Sequence, residues 1–267
     1  MIKLVCTDID GTLVEDGTFN LNGEYYGEIK RLKEKGIMFC AASGRPYSSI
    51  KKLFAPVLED IYIICDNGAC VLVNGEPIYT ESIERSRAAD IIKEIEDIKG
   101  CHTYVSCVNK GYVAKSAMEL YRWLVNGYRI DMELIDKMPD SLPENDPILC
   151  IEMYHPYEAE KLALESGLCL RWGEGKGLRI GCAGKQWMHI NSAGADKGQS
   201  LMRLAGELGI KSDEIMVFGD NINDLGMLKC GYYSYAIGNA REEVKAAARF
   251  VADTNINDGV LKVLKTL

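Results

Sequence analysis

The chain has no apolar stretch approaching the roughly 18 residues that a membrane span needs, so no membrane-crossing helix is expected. It lacks the marks of a leader as well: Ile2-Lys3-Leu4-Val5-Cys6 opens it as an apolar run, with no basic segment or small-residue cleavage site ahead. Positive charge is in deficit. Against 39 acidic side chains stand 31 basic ones, a formal net charge of −8. That balance argues against a surface that neutralises nucleic-acid phosphates or docks on anionic lipid, so any phosphate must be bound locally. No two cysteines have the two-residue spacing of a zinc knuckle, and His102, His155 and His189 lie far apart in sequence, which argues against a Cys/His metal site. Repeats, low-complexity tracts and a disordered tail are absent.

The ten cysteines that are present fall largely inside apolar runs, as do Cys6, Cys40, Cys65 and Cys150. They are expected to be reduced core residues of a soluble, cytoplasmic protein rather than a disulfide framework. With 267 residues and 47% apolar composition, the chain can bury a full core, and two domains are expected.

Apolar, β-rich runs alternate with helical patterns in the first third: strands over 3–7, 37–42 and 61–65, helices over 24–35 and 47–54. The strands read as continuous apolar runs, the signature of burial on both faces of a parallel sheet. Gly36 follows a lysine-rich helix end as a C-cap. A hairpin follows, with strands over 70–73 and 76–80 joined by Asn74-Gly75, and Pro77 makes its second strand an edge. From about 82 to 190 the pattern changes to amphipathic helices, such as 86–99, interleaved with strand-like pieces at 103–108, 148–154 and 178–182. The α/β rhythm then returns, with a helix over 197–207 and strands over 214–218, 233–237 and 250–252. The fold class is therefore α/β: a Rossmann-like parallel-sheet core, residues 1–82 and 191–267, interrupted by a separate α+β domain, residues 83–190.

Chemistry-bearing residues sit at the ends of predicted strands, where open α/β sheets bind their ligands. Asp8-Ile9-Asp10-Gly11-Thr12-Leu13 follows the first strand, placing two carboxylates one residue apart. Ala41-Ala42-Ser43-Gly44-Arg45 follows the second. Gly219-Asp220-Asn221-Ile222-Asn223-Asp224 follows the run Ile215-Met216-Val217-Phe218 and lacks the twelve-residue pattern of an EF-hand. Gly194-Ala195-Asp196-Lys197-Gly198 opens a helix, with Asp196 placed to cap it.

Taken in order, these four motifs resemble those of the haloacid dehalogenase-like phosphatase superfamily. The resemblance implies that Asp8 is the nucleophile that becomes an aspartyl-phosphate and that Asp10 is the general acid and base. It further implies that Ser43, Gly44, Arg45 and Lys197 bind the phosphoryl group. Mg²⁺ is the implied cofactor, held by the carboxylates of Asp8 and Asp220 and the backbone carbonyl of Asp10, with Asn223 and Asp224 positioning its water or Asp8. The insert between the second and third motifs, Asn67-Gly68-Ala69 and the C-terminal Asn257-Asp258-Gly259-Val260 are similar to the Cof-like branch, whose large α/β cap supplies substrate contacts. The implied partner is a small phosphorylated metabolite, by resemblance a sugar phosphate, with no nucleic acid or membrane involved.

Two other readings share parts of this pattern: a phosphomutase of phosphomannomutase type, which uses the same aspartyl chemistry, and a binding protein that lost catalysis, which would be free to lose Asp8 or Asp10. Two glycine-rich segments, 173–177 and 181–186, evoke nucleotide loops. The first has no third glycine at the required place and the second lacks a leading Gly and a final Ser or Thr, so both read as loops of the inserted domain.

Overall fold

The computed structural model describes residues 1–173, 175–183 and 185–267, apart from the side chain of residue 183. Glu174 and Gly184, one in each glycine-rich segment, lie outside the described residues. The chain divides into two compact units, residues 1–79 with 196–267, and residues 80–195.

The first unit begins β1 (Leu4–Thr7), α1 (Glu24–Glu34), β2 (Met38–Ala42), α2 (Tyr47–Leu53), β3 (Ile61–Cys65), β4 (Cys70–Val73) and β5 (Glu76–Thr80). The second comprises α3 (Arg85–Glu96), β6 (His102–Cys107), β7 (Gly111–Ala114), α4 (Met118–Gly127), β8 (Met132–Ile135), β9 (Ile148–Tyr154), α5 (Ala159–Glu165), α6 (Leu168–Trp172), β10 (Leu178–Ala183) and β11 (Trp187–Ser192). The first then resumes with α7 (Lys197–Glu207), β12 (Ile215–Gly219), α8 (Leu225–Cys230), β13 (Tyr233–Ala236), α9 (Glu242–Ala247), β14 (Phe250–Val251) and α10 (Gly259–Leu264).

The sheet of the first unit runs β14-β13-β12-β1-β2-β3-β4-β5, parallel from β14 to β3, with β4 antiparallel to β3. β1 and β12 are buried along their whole length, as continuous apolar runs between two helical layers require. The chain grows from β1 through β2 to β3 on one side and from β12 to β14 on the other. The order therefore reverses beside β1, the topological switch point at which such sheets open a crevice. Thr7 pairs in register with both Phe218 and Ala41, so the loops after β1, β12 and β2 leave the sheet at one level. The hairpin reads as expected: Asn74 (φ 51°) and Gly75 (φ 81°) both take left-handed conformations, and β5, with Pro77, is the outermost strand.

The second unit is a sheet in the order β10-β11-β9-β6-β7-β8. Alternation sorts its two faces. Val105, Tyr112, Ile151, Met153, Met188 and Ile190 join Ile91, Ile92 and Ile95 of α3 in one apolar cluster. Tyr104 and Val113 belong to a second cluster with Leu120 and Leu124 of α4. Helix α3 stops at Glu96, short of the expected 99, because the Glu96 carboxylate accepts hydrogen bonds from Thr103 N and Oγ1 and draws the chain back into β6.

Candidate active site

Asp8 leaves β1 with its backbone N–H on the carbonyl of Phe218, so β12 fixes the height at which its side chain enters the switch point. Lys197, the first residue of α7, is almost wholly buried and forms ion pairs with Asp8 Oδ1 and, at 2.7 Å, with Asp224 Oδ1. Two glycines allow this approach. A Cβ on Gly198 would lie 2.4 Å from the backbone carbon of Gly226, so only glycine lets α7 and α8 meet there. A Cβ on Gly68 would lie 2.4 Å from the Asp196 carbonyl carbon, and Ser200 Oγ ties the two segments by donating to Gly68 O at 2.7 Å. Asp196 caps α7 by accepting from Gln199 N, as its position predicts.

The loop after β12 is organised by Asp224, whose Oδ2 accepts from the backbone N–H groups of Asp220 and Asn221 at 3.0 and 3.1 Å. Thr12 Oγ1 donates to Asp220 Oδ1 at 2.7 Å, linking the first and fourth motifs. Carboxylate oxygens of Asp8, Asp220 and Asp224 all lie within 4.8 Å of one another. Burial pushes the Asp8 carboxyl well above the ordinary range, and the Asp224 charge adds to that, against the pull of Lys197. The Asp220 carboxyl is likewise pushed up, to about 6, by burial, with the Thr12 hydrogen bond opposing and the Asp224 charge adding. Burial pulls the Lys197 ammonium down, but the flanking carboxylates outweigh it and hold the proton on.

Three carboxylates thus crowd together with one ammonium, which pairs with two of them. Asp8 Oδ2 and Asp220 Oδ2 accept no hydrogen bond among the described residues. Donors that are all hard oxygens, in a pocket with excess negative charge, fit a hard divalent cation. Beside them opens a cleft of about 420 Å³ lined by Gly11, Asp16, Asp220, Asn239 and Arg241 among others.

Gly11 is where chain conformation and site meet. Its φ of +77° is left-handed, and a Cβ there would sit 2.4 Å from Asp220 Oδ2. Gly11→Ala is expected to displace the Asp220 carboxylate, weakening divalent-cation binding at least about tenfold and costing about 1 kcal/mol of backbone strain. Calorimetric titration of the cation and a denaturant melt read the two effects separately.

The sequence-predicted residues fall into three neighbouring groups. Asp8, Lys197 and Asp224, all buried, and the half-buried Asp220 form one cluster. Ser43 Oγ accepts from Arg45 N at 3.0 Å, closing a tight turn against which Asn67 packs, and Asn223 Nδ2 donates to Asn67 Oδ1 at 3.2 Å rather than joining the carboxylates. Asp10 and Arg45 make the third group: Arg45 Nε and Nη2 bind the two Asp10 oxygens at 2.7 and 2.6 Å.

Three further asparagines hold the site together. Asn67, at a left-handed φ of 58°, carries its backbone N–H to Ser43 O. Its motif was visible but its contact was not. Asn239 Nδ2 donates to Gly11 O at 2.8 Å and Asn255 Nδ2 to Val14 O at 3.1 Å, and together they staple the loop that bears Asp10. Asn239 stands in no recognisable motif, so only folding could bring it there.

The sequence profile of haloacid dehalogenase-like hydrolases matches residues 5–264. The chain belongs to this family. Among curated relatives, the 5-amino-6-(5-phospho-D-ribitylamino)uracil phosphatase YbjI of Escherichia coli is 24% identical, over 98% of this chain and 95% of its own. Phosphatase YwpJ of Bacillus subtilis is 26% identical over the full length of both chains. A crystal structure of a protein from Eubacterium rectale superposes with a TM-score of 0.89 at 33% identity, covering 99% of this chain and 98% of the other. This haloacid dehalogenase-like hydrolase is accordingly a phosphoric monoester hydrolase with a parallel-sheet α/β core. Among its described residues no helix is long and apolar enough to cross a membrane.

Proposed function

We propose that the chain is a Mg²⁺-dependent phosphatase that hydrolyses a small phosphorylated metabolite, a sugar phosphate by class, through an aspartyl-phosphate on Asp8. The observation that carries this is the cluster of Asp8, Asp220 and Asp224, in which the one ammonium pairs with Asp8 and Asp224 while two carboxylate oxygens keep no hydrogen bond among the described residues. Asp8 and Asp220, with the Asp10 carbonyl, would hold Mg²⁺, and Asn223 and Asp224 would act around them. When bound, the ion offsets repulsion between the anionic nucleophile and the phosphoryl oxygens.

An Asp8 oxygen attacks phosphorus as the ester P–O bond breaks, and Asp10 gives its proton to the departing alcohol oxygen. Asp10 then takes a proton from the water that opens the acyl phosphate, releasing orthophosphate and restoring Asp8. Lys197 neutralises charge, and the Ser43 hydroxyl and Gly44 N–H donate to phosphoryl oxygens. In this reading the unit bearing Asp8 is the catalytic domain and the inserted α+β unit is the cap that selects substrate. The phospho-D-ribitylamino group in the name of the Escherichia coli relative's substrate supports the sugar-phosphate class. A cytoplasmic setting agrees with ten free cysteines, most of them buried.

The test is orthophosphate release from a panel of sugar phosphates and an aryl phosphate, with Mg²⁺ and with a chelator. Release that needs Mg²⁺ supports the reading. Equal release in chelator removes the ion from it, and phosphate moved within the substrate without release replaces hydrolysis by mutase chemistry. The pH dependence has a definite sign. Because the Asp220 carboxyl is raised from 3.8 to about 6, the metal-free fold binds that proton more tightly than the unfolded chain, so this stabilisation is lost as pH rises through about 6. Mg²⁺ needs the ionised form, so the rise in melting temperature on adding Mg²⁺ is expected to be larger at about pH 7.5 than at about pH 5.

A further inference from the structure

We infer that Arg45 acts on Asp10 rather than on the phosphoryl group, as the positioning residue that fixes the direction of proton transfer. The inference rests on the reading of Asp10 as the general acid and base. Arg45 is almost wholly buried, its side chain 3% exposed, while that of the Asp10 it holds is 25% exposed. Both Asp10 oxygens are engaged by the guanidinium fork, at 2.7 Å from Nε and 2.6 Å from Nη2, and Gly17 N adds a third hydrogen bond to Oδ1 at 3.0 Å.

The fork is itself anchored. Nη2 also donates to Thr18 O at 2.7 Å, and the guanidinium carbon lies 4.8 Å from the centre of the Phe19 ring. Asp10 bridges to Val14 through the backbone, so the segment from 14 to 19 curls around the pair and is stitched to it from both ends. A planar fork that meets both carboxylate oxygens sets the plane of the carboxyl group, which a lysine ammonium does not. Proton transfer depends on that plane, because the acid must point at the leaving oxygen. Among the described residues Nη1 has no hydrogen-bond partner, so a direct phosphate contact through Nη1 is the rival role that the experiment must separate.

kcat/KM reports the step in which Asp8 takes the phosphoryl group and the alcohol departs. An ester with a poor leaving group, such as an alkyl phosphate, needs the acid there, and 2,4-dinitrophenyl phosphate does not. Asp10→Asn is expected to lower kcat/KM for the alkyl ester by about 100-fold or more and for the dinitrophenyl ester only a few-fold. Arg45→Met is expected to reproduce that asymmetry, and adding it to Asp10→Asn to cost little more, because both changes remove one device. Arg45→Lys, which keeps the buried charge and secures the test should Arg45→Met fold poorly, is expected to fall between.

An equal loss on both esters with a raised KM, or additive losses in the double variant, would assign Arg45 to phosphate binding and overturn the inference alone. Absence of leaving-group dependence in Asp10→Asn would overturn both it and the acid role on which it rests.

Discussion

Asp8→Asn is expected to reduce phosphate release to less than about 10⁻⁴ of the native rate, because an amide oxygen cannot form the acyl phosphate that, in the proposed mechanism, divides the reaction into two displacements. Folding should survive the change. Lys197 keeps Asp224 at 2.7 Å, and the neutral amide leaves no buried charge at that position for burial and the Asp224 carboxylate to disfavour. The melting temperature of metal-free Asp8→Asn is therefore expected to equal or exceed that of the native protein. Colorimetric phosphate release with a thermal melt reads both quantities, and residual activity of even a hundredth of native would move the nucleophile elsewhere.

Lys197→Met is expected to fail in the opposite way, losing stability and activity together. The Lys197 side chain is 1% exposed and its ammonium is the partner of two buried carboxylates, so its removal leaves charge unpaired in a poorly solvated place. Breaking a buried pair from one side costs about 3–5 kcal/mol, which for a chain of this size lowers the melting temperature by roughly 10 °C. Added Mg²⁺ should recover part of that loss by replacing a cation with a cation. A second change, Asp224→Asn, should recover stability without activity, since it removes one stranded charge while the phosphoryl oxygens still lack their lysine. Denaturant melts of the three proteins with and without Mg²⁺ check this, and a Lys197→Met variant as stable as the native protein would refute it.

These outcomes diverge because one cluster serves two ends. Carboxylates crowded around a single ammonium are poorly stabilised alone, and that imbalance is what would make the site receptive to the proposed cation. In the proposed reading, stability withheld at this spot would supply the driving force for binding the cation there.

Much of this was legible in the amino-acid order. Continuous apolar runs announced β1, β2, β3 and β12 because strands buried on both faces admit few polar residues, and Asn74-Gly75 announced its turn because both positions need φ above zero. The inserted unit was harder to divide. β7 is only four residues long and opens on a glycine, while β11 interleaves His189, Asn191 and Ser192 with apolar residues, so neither stands out as a continuous apolar run. The unit boundaries, between 79 and 80 and between 195 and 196, lie a few residues from 82/83 and 190/191, the second because β11 continues to Ser192 as part of the second sheet.

At the site, local sequence determined which residues stand at strand ends, because a strand, a turn and a helix start are set by neighbours in the chain. Tertiary structure alone decided what those residues touch. It joined Lys197 to Asp8 across 189 positions and brought Asn239 to Gly11 across 228. It also set the Arg45 guanidinium, which the family resemblance implies for phosphate, against Asp10. A side chain as long as arginine's reaches several candidate partners from one backbone position, and only the packed positions of Thr18, Phe19 and Asp10 select among them.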